Sequence, residues 1–397
     1  MIEPQADMRI SWAAKLEAIL AWLQEHCGEA FLTGAAARNL LGSGALSPPS
    51  GGEMLVPTLE KGTLAKLGKQ FPDLRHEENT GGGLLVLDAG SETSLEIQVL
   101  PYAKCDIQQS AKTIVDALGH RAITVQAFGL QPGGDVVDPF NGIEDFQKKI
   151  IRTVDNPRMV FRETPGMLLQ VARHISELGY EPHPDTTRFA TRDAANIMSV
   201  ERSVWLDEMN RLLLAPYVDR GLEWLLATGT LRFLLPEVVS LVDFHKSCAV
   251  HHKDCWDHTV QVTNKANADL CTKWAALCHD IGKIWTRSVD RQRQVHFYRH
   301  EEYGAILFEG IAARFHMGEE LAFRVASVIR LHGRVNLYES NWTDSAIRRL
   351  IRDSGQHLED LIRFSKADYT SKRPERVATI RRQLDELEVR IAQIREE

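Results

Sequence analysis

The strongest constraint in this 397-residue sequence is the stretch from Trp274 to Lys283, where an apolar run ends in adjacent His279 and Asp280. Such a run predicts a buried helix that ends at a polar pair. Adjacent helical residues point about 100° apart, but an imidazole and a carboxylate differ in length and can lean toward one ion. Nitrogen and oxygen ligands together suit a borderline or hard divalent cation. The pair therefore predicts a metal site at the end of a helix.

Further residues of the same ligand types surround this pair in the order H…HD…H…H…D, namely His258, His300, His332 and Asp368. The order and the HDxGK form resemble the HD-domain metal-dependent phosphohydrolases, which are all-helical enzymes that hold one or two divalent ions. The alternative is that these are unrelated surface or capping residues.

The resemblance implies a role for each matched position. The primary metal ligands would be His258, His279, Asp280 and Asp368. His300 and His332 would complete a second metal site, with Asp280 bridging the two ions. Lys283 would face the substrate phosphate, and Arg287 would help to neutralise it. Ni²⁺, Co²⁺, Mn²⁺, Fe²⁺ and Mg²⁺ all remain open, although an imidazole-rich ligand set argues against Mg²⁺ alone.

Composition is that of an ordinary globular protein, with 44% apolar and 25% charged residues, and the length predicts about two to three domains. The net charge of -7 gives no overall basic field, so any contact with nucleic acid must use local patches. The six cysteines form no CxxC pair, and we expect free thiols in a reducing cytoplasm. Neither a secretion signal nor a membrane-spanning stretch is predicted.

The N-terminal third carries a second pattern. An apolar strand at residues 31–33 runs into a small-residue turn at Gly34 and then a helix, an arrangement that suits a phosphate. This segment resembles the GGxxRDxLLG motif of class II tRNA nucleotidyltransferases and poly(A) polymerases. Residues 138–145 resemble the family's DPF-GG-ED turn, residues 161–180 its neck, and the similarity covers roughly residues 20–370. One bacterial branch of that family carries an HD domain.

The sequence departs from that family where nucleotidyl transfer needs carboxylates. The nearest alignment to the DxD pair gives Glu53 and Leu55, which leaves Glu96 as the third carboxylate. Ala122 stands in place of the aspartate of RRD. Thr164 and Met167 replace the base-selecting positions of EDxxR. We therefore expect a degenerate, inactive nucleotidyltransferase-like head.

Basic clusters flank these motifs and are interleaved with aromatic residues, which favours RNA binding, although most charge runs are solvated faces. The clusters are Lys148, Lys149, Arg152, Arg158 and Arg162; then Arg287, Arg291, Arg293 and Arg299; and finally Lys366, Lys372, Arg373, Arg376, Arg381 and Arg382.

The last segment has apolar residues at spacings of three and four: Val377, Ile380, Leu384, Leu387, Ile391 and Ile394. This a/d seam spans nearly three heptads. It leaves two options open, a homodimer through the C-terminal helix or packing back on the body.

Together these patterns predict an α+β multidomain protein. We expect a mixed-sheet head at 1–145, a helical neck and body at 146–245, an all-helical HD domain at 246–373 and a terminal helix at 374–397. The predicted function is metal-dependent hydrolysis of RNA or nucleotide terminal phosphates, such as 2′,3′-cyclic or 2′-phosphates, with a tRNA-like substrate. The alternatives are an active CCA- or A-adding tRNA nucleotidyltransferase and a non-catalytic RNA-binding scaffold.

Overall fold

The computed structural model of the chain describes residues 5–43, 52–79, 82–88, 94–105, 111–244, 255–369 and 374–396. The chain divides into two compact units, Met1–Val160 with Tyr180–Thr186, and Phe161–Gly179 with Thr187–Glu397. The expected four-part division stays a prediction. Most of the loop before Glu53, residues 44–51, lies outside the described residues, as do Lys372 and Arg373.

The first unit contains a seven-stranded mixed sheet, which confirms the predicted α+β class. In chain order its strands are β1 Phe31–Thr33, β2 Gly52–Val56, β3 Leu74–Asn79, β4 Gly82–Asp88, β5 Ser94–Pro101, β6 Gly129–Leu130 and β7 Val136–Val137. Their order across the sheet is β3-β4-β5-β2-β1-β6-β7. Strands β2 and β5 run parallel, and the other neighbours run antiparallel. A separate parallel pair joins β8 Ile150–Ile151 to β9 Glu181–Pro182.

The helices of the first unit are α1 Gln5–Cys27, α2 Gly34–Ser43, α3 Thr63–Gln70, α4 Ile114–Gly119 and α5 Gly142–Lys148. Strand residues alternate between the two faces of the sheet, and each face has its own apolar cluster. On one face, Met54 of β2 belongs to a cluster that includes Ile19 and Leu23 of α1, and all three side chains are fully buried. Leu55 points to the opposite face, where it packs in a cluster that includes Phe31 and Tyr102.

The second unit is mostly helical. Its helices are α7 Met167–Leu178, α9 Arg202–Leu214, α10 Val218–Ala227, α11 Leu231–Leu234, α12 Pro236–Val239, α13 Cys255–Lys265, α14 Leu270–Cys278, α15 Lys283–Thr286, α16 His300–Arg314, α17 Glu319–Asn336, α18 Asp344–Ser354, α19 Leu358–Asp368 and α20 Pro374–Glu396. Helices α6 Pro157–Glu163 and α8 Pro184–Asp193 cross the boundaries of the division. A short antiparallel hairpin, β10 Arg287–Val289 and β11 Val295–Phe297, interrupts the helices.

Helix α14 is the predicted buried helix before the His-Asp pair. The Asp269 side chain caps its start by accepting backbone N–H groups of Cys271 and Thr272. Every residue from 271 to 278 is buried, as expected for a helix that is mostly apolar all round. It packs against α9, α13, α17 and α19. Trp274 lies edge-on to Phe315, with ring centroids 5.4 Å apart. This packing fixes the end of α14.

A group of charged side chains, the α7 charge network, is neutralised within the chain. Arg173 Nε donates to Glu208 at 2.6 Å, and its Nη1 donates to Glu177 at 2.8 Å. His174 Nδ1 lies 2.8 Å from the same Glu177 carboxylate. Burial raises the pKa of Glu177, but His174 and Arg173 outweigh it and lower this pKa to about 2.

The terminal helix α20 packs back on the body of its own unit, against α18 and α19. Its seam residues Leu384, Leu387, Ile391 and Ile394 are all buried. Arg390 also donates to the Trp342 carbonyl at 2.7 Å. The seam is covered by the chain itself, so the homodimer through this helix is not supported.

Four cysteines with described side chains are free thiols: Cys27, Cys255, Cys271 and Cys278. Burial raises the pKa of Cys271 to about 12, which keeps this thiol protonated and unreactive. No described helix is both long and apolar enough to cross a membrane.

Candidate metal centre

Five helical elements bring the predicted ligands together in the second unit. His258 lies on α13, His279 and Asp280 directly follow α14, and His300 begins α16. His332 lies on α17, and Asp368 is the last residue of α19. We call these six residues the HD cluster.

Three members form one compact group, His258, His279 and Asp280, whose ligand atoms lie within 4.8 Å of one another. His279 Nε2 lies 3.2 Å from His258 Nε2 and 3.3 Å from Asp280 Oδ2. Asp368 approaches the same atoms, with Oδ1 3.2 Å from His258 Nε2 and 3.6 Å from His279 Nε2. The four predicted primary ligands therefore converge on one point.

The second group consists of Asp280, His300 and His332. His300 Nε2 lies 3.7 Å from Asp280 Oδ1, whereas the first group faces Oδ2 of the same carboxylate. The two oxygens of Asp280 thus face different groups, which is the arrangement expected of a carboxylate that bridges two ions.

Backbone carbonyls fix the orientation of three imidazoles in the HD cluster. The Nδ1 atoms of His279, His300 and His332 lie 2.9, 3.0 and 2.6 Å from the carbonyl oxygens of the residues three positions earlier. A carbonyl only accepts, so each Nδ1 carries the proton and donates it. The neutral form of each ring then presents an unprotonated Nε2, as metal-bound histidines do.

The charges of the HD cluster shift several pKa values. Burial raises the pKa of Asp280, but His279 and Lys283 outweigh it and hold this pKa well below its usual range. Burial also raises the pKa of Asp368, and the neighbouring histidines again outweigh it and lower this pKa. Burial lowers the pKa of His279, but the two carboxylates outweigh it and raise this pKa, so the point where they meet attracts positive charge. Burial lowers the pKa of His332 to about 4, which leaves this ring neutral at pH 7.

This donor set fits a divalent cation. Imidazole nitrogens face the buried carboxylate of Asp280 and the half-buried Asp368 closely, and His279 and Asp280 are each only 1% exposed. Such a concentration of acceptors is unfavourable unless positive charge lies among them. Mixed nitrogen and oxygen ligands suit several first-row transition metals.

The two predicted phosphate-facing residues have different environments. Lys283 Nζ donates to Asp280 Oδ2 at 2.7 Å and lies 5.7 Å from the centre of the Phe297 ring. Burial lowers the pKa of Lys283, but the Asp280 carboxylate outweighs it, so this pKa is raised. Arg287 is exposed on β10, outside the buried cluster, and its place beside the phosphate stays a prediction.

One neighbour of the cluster, Asn336, was not predicted from the sequence. Asn336 Nδ2 donates to Asp368 Oδ2 at 2.6 Å and orients this carboxylate toward the histidines. Asn336 lies four residues after His332 on α17, so the two side chains share a helix face. That spacing is the signal that could have found it.

A close backbone approach holds the start of α16 against the end of α14. A Cβ atom added at Gly282 would lie 2.0 Å from the His300 carbonyl oxygen and 2.7 Å from the Gly304 nitrogen. Only glycine fits here without movement of the backbone. The glycine of the HDxGK form therefore has a packing role between two ligand-bearing segments.

In the first unit, the residues aligned with the DxD pair lie on β2. The Glu53 carboxylate forms an ion pair with Arg121, whose guanidinium also lies 3.5 Å from the Thr33 hydroxyl. Leu55 is fully buried on the same face of the strand. Glu96 is exposed on the neighbouring β5. We call Glu53, Leu55, Glu96 and Arg121 the head face.

Two protein-family models match the chain. One, described as HD domain, matches residues 251–372. The other, described as probable RNA and SrmB-binding site of polymerase A, matches residues 179–241. The HD-domain match includes all six residues of the HD cluster.

Curated relatives extend the match. An A-adding tRNA nucleotidyltransferase of Deinococcus radiodurans is 28% identical over 270 residues, which are 65% of this chain and 60% of the relative. A CCA-adding enzyme of Geobacillus stearothermophilus is 27% identical over 299 residues, 73% of this chain and 68% of the relative. The multifunctional CCA protein of Acinetobacter baumannii is 30% identical over 203 residues, 48% of this chain and 47% of the relative. The chain thus matches well under the full length of each of these relatives.

Solved structures share the fold over almost the whole chain. The Bacillus stearothermophilus CCA-adding enzyme in complex with CTP has a TM-score of 0.62 at 19% identity, covering 94% of this chain and 82% of that one. A tRNA nucleotidyltransferase complexed with a primer tRNA and an incoming ATP analog has a TM-score of 0.58 at 13% identity. The match covers 93% of this chain and 98% of that chain. Together these comparisons support a similarity of the chain to class II tRNA nucleotidyltransferases that carry an HD domain.

Proposed function

We propose that the chain is a metal-dependent phosphohydrolase that acts on the terminal phosphates of RNA, with the HD cluster as its active site. The observation that carries this proposal is the convergence of His258, His279, Asp280 and Asp368 on one point. The tRNA in the names of the relatives supports a tRNA-like substrate.

The HD cluster would hold one or two divalent ions, with His300 and His332 belonging to the second group. A bound divalent ion supplies Lewis acidity and lowers the pKa of water. The chain's own residues do the rest. Lys283 keeps Asp280 ionised and adds positive charge beside the site, where it can neutralise phosphoryl oxygens. Asn336 holds Asp368 in position.

The reaction proposed is simple hydrolysis. Water adds to phosphorus, and one P–O ester bond breaks. A 2′,3′-cyclic phosphate then gives a terminal phosphomonoester and a free hydroxyl group, whereas a 2′-phosphate gives inorganic phosphate and a hydroxyl group.

The names of the relatives favour a second candidate, an A- or CCA-adding tRNA nucleotidyltransferase, and support it better than they support hydrolysis. The head face argues for the hydrolase. Glu53 is paired with Arg121, and buried Leu55 has no ligand atom, so this face offers fewer free carboxylates than two-metal nucleotidyl transfer uses. Loss of transfer activity is thus part of our proposal.

One experiment compares the two candidates. Metal-stripped protein is reloaded with Ni²⁺, Co²⁺, Mn²⁺, Fe²⁺ or Mg²⁺ in turn. It is then assayed on RNA ending in a 2′,3′-cyclic phosphate, on RNA ending in a 2′-phosphate, and for incorporation of labelled CTP or ATP into tRNA. We expect hydrolysis without incorporation. Incorporation without hydrolysis would establish the transferase instead.

A further inference from the structure

We propose that the hairpin β10–β11, with Trp285 before it and Tyr298 after it, is a base-stacking platform for single-stranded RNA beside the HD cluster. The inference rests on the proposed function for the chemistry of the site that the platform serves. It adds the residues that would make an RNA end a better substrate than a small phosphodiester.

The β11 end of the hairpin contacts His300 of the HD cluster and the neighbouring Lys283. The hairpin is inserted in the chain between Lys283 and His300. The backbone carbonyl of Phe297, the last residue of β11, accepts a hydrogen bond from His300 Nδ1 at 3.0 Å, and the Phe297 ring lies 5.7 Å from Lys283 Nζ. A strand bound along the hairpin would therefore end close to the cluster.

Two large aromatic side chains at the hairpin are mostly exposed to solvent. Trp285 is 72% exposed and Tyr298 is 69% exposed. The His296 ring stacks on Tyr298, with ring centroids 5.0 Å apart and an interplanar angle of 12°. This stacking orders the tyrosine ring before any ligand arrives. Exposed flat rings bind nucleic-acid bases without regard to sequence.

The charge of the hairpin complements RNA. Residues 285–299 contain four arginines and a single acidic residue, Asp290, in a chain whose net charge is -7. Asp290 is engaged inside the hairpin, where it accepts the backbone N–H groups of Gln292 and Gln294 and lies 2.9 Å from His296 Nε2. A local cationic patch on an acidic protein favours a polyanion.

An open cleft of about 440 Å³ continues from the end of the hairpin. Arg299, Arg330 and Arg334 line it, together with Glu301 and Leu331, which are the chain neighbours of His300 and His332. The three arginines form surface ion pairs with Glu302, Glu309 and Asp353. Exposed pairs of this kind are weak, so phosphates can compete for these arginines.

The first test measures RNA binding alone. Metal-free protein is titrated in a chelator with a short unstructured RNA, so the result does not depend on hydrolysis. Trp285→Ala and Tyr298→Ala should each weaken binding about tenfold. Trp285→Phe and Tyr298→Phe should largely restore it. Phe323→Ala is the matched control, because Phe323 is 60% exposed but lies on α17.

The second test measures hydrolysis with the metal present. In the Trp285→Ala/Tyr298→Ala double variant, kcat/KM should fall far more for an RNA terminal phosphate than for bis(p-nitrophenyl) phosphate, and the change should lie in KM. An equal fall on both substrates would mean that the hairpin only supports the cluster, and would overturn the inference.

The two proposals fail in different ways. If the wild type binds RNA through these aromatic residues but hydrolyses nothing with any metal, the platform stands and the hydrolase proposal fails. If the wild type hydrolyses the substrate and the alanine variants bind RNA as the wild type does, the inference of a stacking platform is wrong and the hydrolase proposal stands.

Discussion

The HD cluster and the head face both contain carboxylates, but their charge is balanced in different ways. In the HD cluster, Asp280 and Asp368 both face Nε2 of His279, whose ring is oriented by the bond from its Nδ1 to a backbone carbonyl. On the head face, Glu53 already has a cationic partner in Arg121. Asp280 also pairs with Lys283 through Oδ2, while its Oδ1 faces His300. The difference between the two regions therefore lies in the imidazole acceptors around the HD-cluster carboxylates, and both regions contain a cationic side chain.

The comparison shows that carboxylates in similar motifs can have different kinds of neighbour. A carboxylate that must bind a metal needs neighbours that are also acceptors, whereas a carboxylate that is paired with arginine is satisfied by the chain. The α7 charge network is a second example of internal neutralisation, because Arg173 lies between two glutamates. The number of acidic residues in a motif therefore says less than the charge of the groups they contact.

The largest effect is expected for Asp280→Ala. Its two oxygens face both ligand groups, so hydrolysis should fall by more than about 100-fold and bound metal should decrease. Asp257→Ala, at an exposed carboxylate next to His258, is the matched control. The test measures the rate of hydrolysis together with the metal content by elemental analysis. Unchanged turnover in the Asp280 variant would show that the HD cluster is not the active site.

Leu55→Asp tests the head face. The leucine is fully buried in the cluster with Phe31 and Tyr102, so an uncompensated carboxylate there should lower the free energy of unfolding by about 3–5 kcal/mol. Leu41→Asp is the control, at a leucine that is 39% exposed. Chemical denaturation measures the difference.

The same variant should not gain nucleotide addition, because changes at Ala122, Thr164 and Met167 remain and such groups act as a unit. Incorporation of labelled CTP or ATP by Leu55→Asp would contradict the contrast between the two regions.

Gly282→Ala should destabilise the second unit by about 1–3 kcal/mol, because the new methyl group would meet the His300 carbonyl. The resulting shift of α16 should also weaken metal binding. Gly310→Ala, within α16, meets nothing within 4 Å and should instead stabilise by about 0.5–1 kcal/mol. Thermal unfolding of both variants tests whether helix packing positions the cluster.

The smallest expected effect is on the loss of stability at acid pH. Because the pKa of Glu177 is lowered to about 2 in the folded chain, its contribution to stability is present above about pH 4.5 and is lost as the pH falls toward 2. Glu177→Gln should remove about 1 kcal/mol of this dependence, allowing for solvent screening of a side chain that is 35% exposed. Identical acid profiles for the two proteins would show that this network is not a source of acid sensitivity.

Much of the fold could be predicted because its patterns are local. The apolar run before His279 gives a fully buried helix, and the short strand at residues 31–33 leads into α2 as expected. The resemblance to the nucleotidyltransferases and the α+β class with a mixed sheet follow from motifs spread along the chain, and both are confirmed.

The features that sequence did not determine depend on tertiary contacts. The seam of α20 has the same apolar spacing whether it packs on a neighbouring helix of the same chain or on a second chain. The spacing alone therefore does not distinguish a dimer from packing within the chain. The exposure of Arg287 depends on a hairpin whose short strands carry no strong alternating pattern. The pairing of Glu53 with Arg121 joins two distant parts of the sequence, which no local spacing reveals.

The link from three of the four HD-cluster imidazoles to a carbonyl three residues earlier means that the orientation of these ligands is encoded within a single short peptide segment. Each of these segments therefore contains both the ring and the backbone group that orients it. A designer who grafts these segments onto another helical scaffold would need to reproduce only the distances between segments. In evolution, the same independence would let the connecting loops change length freely while the donor atoms kept their directions.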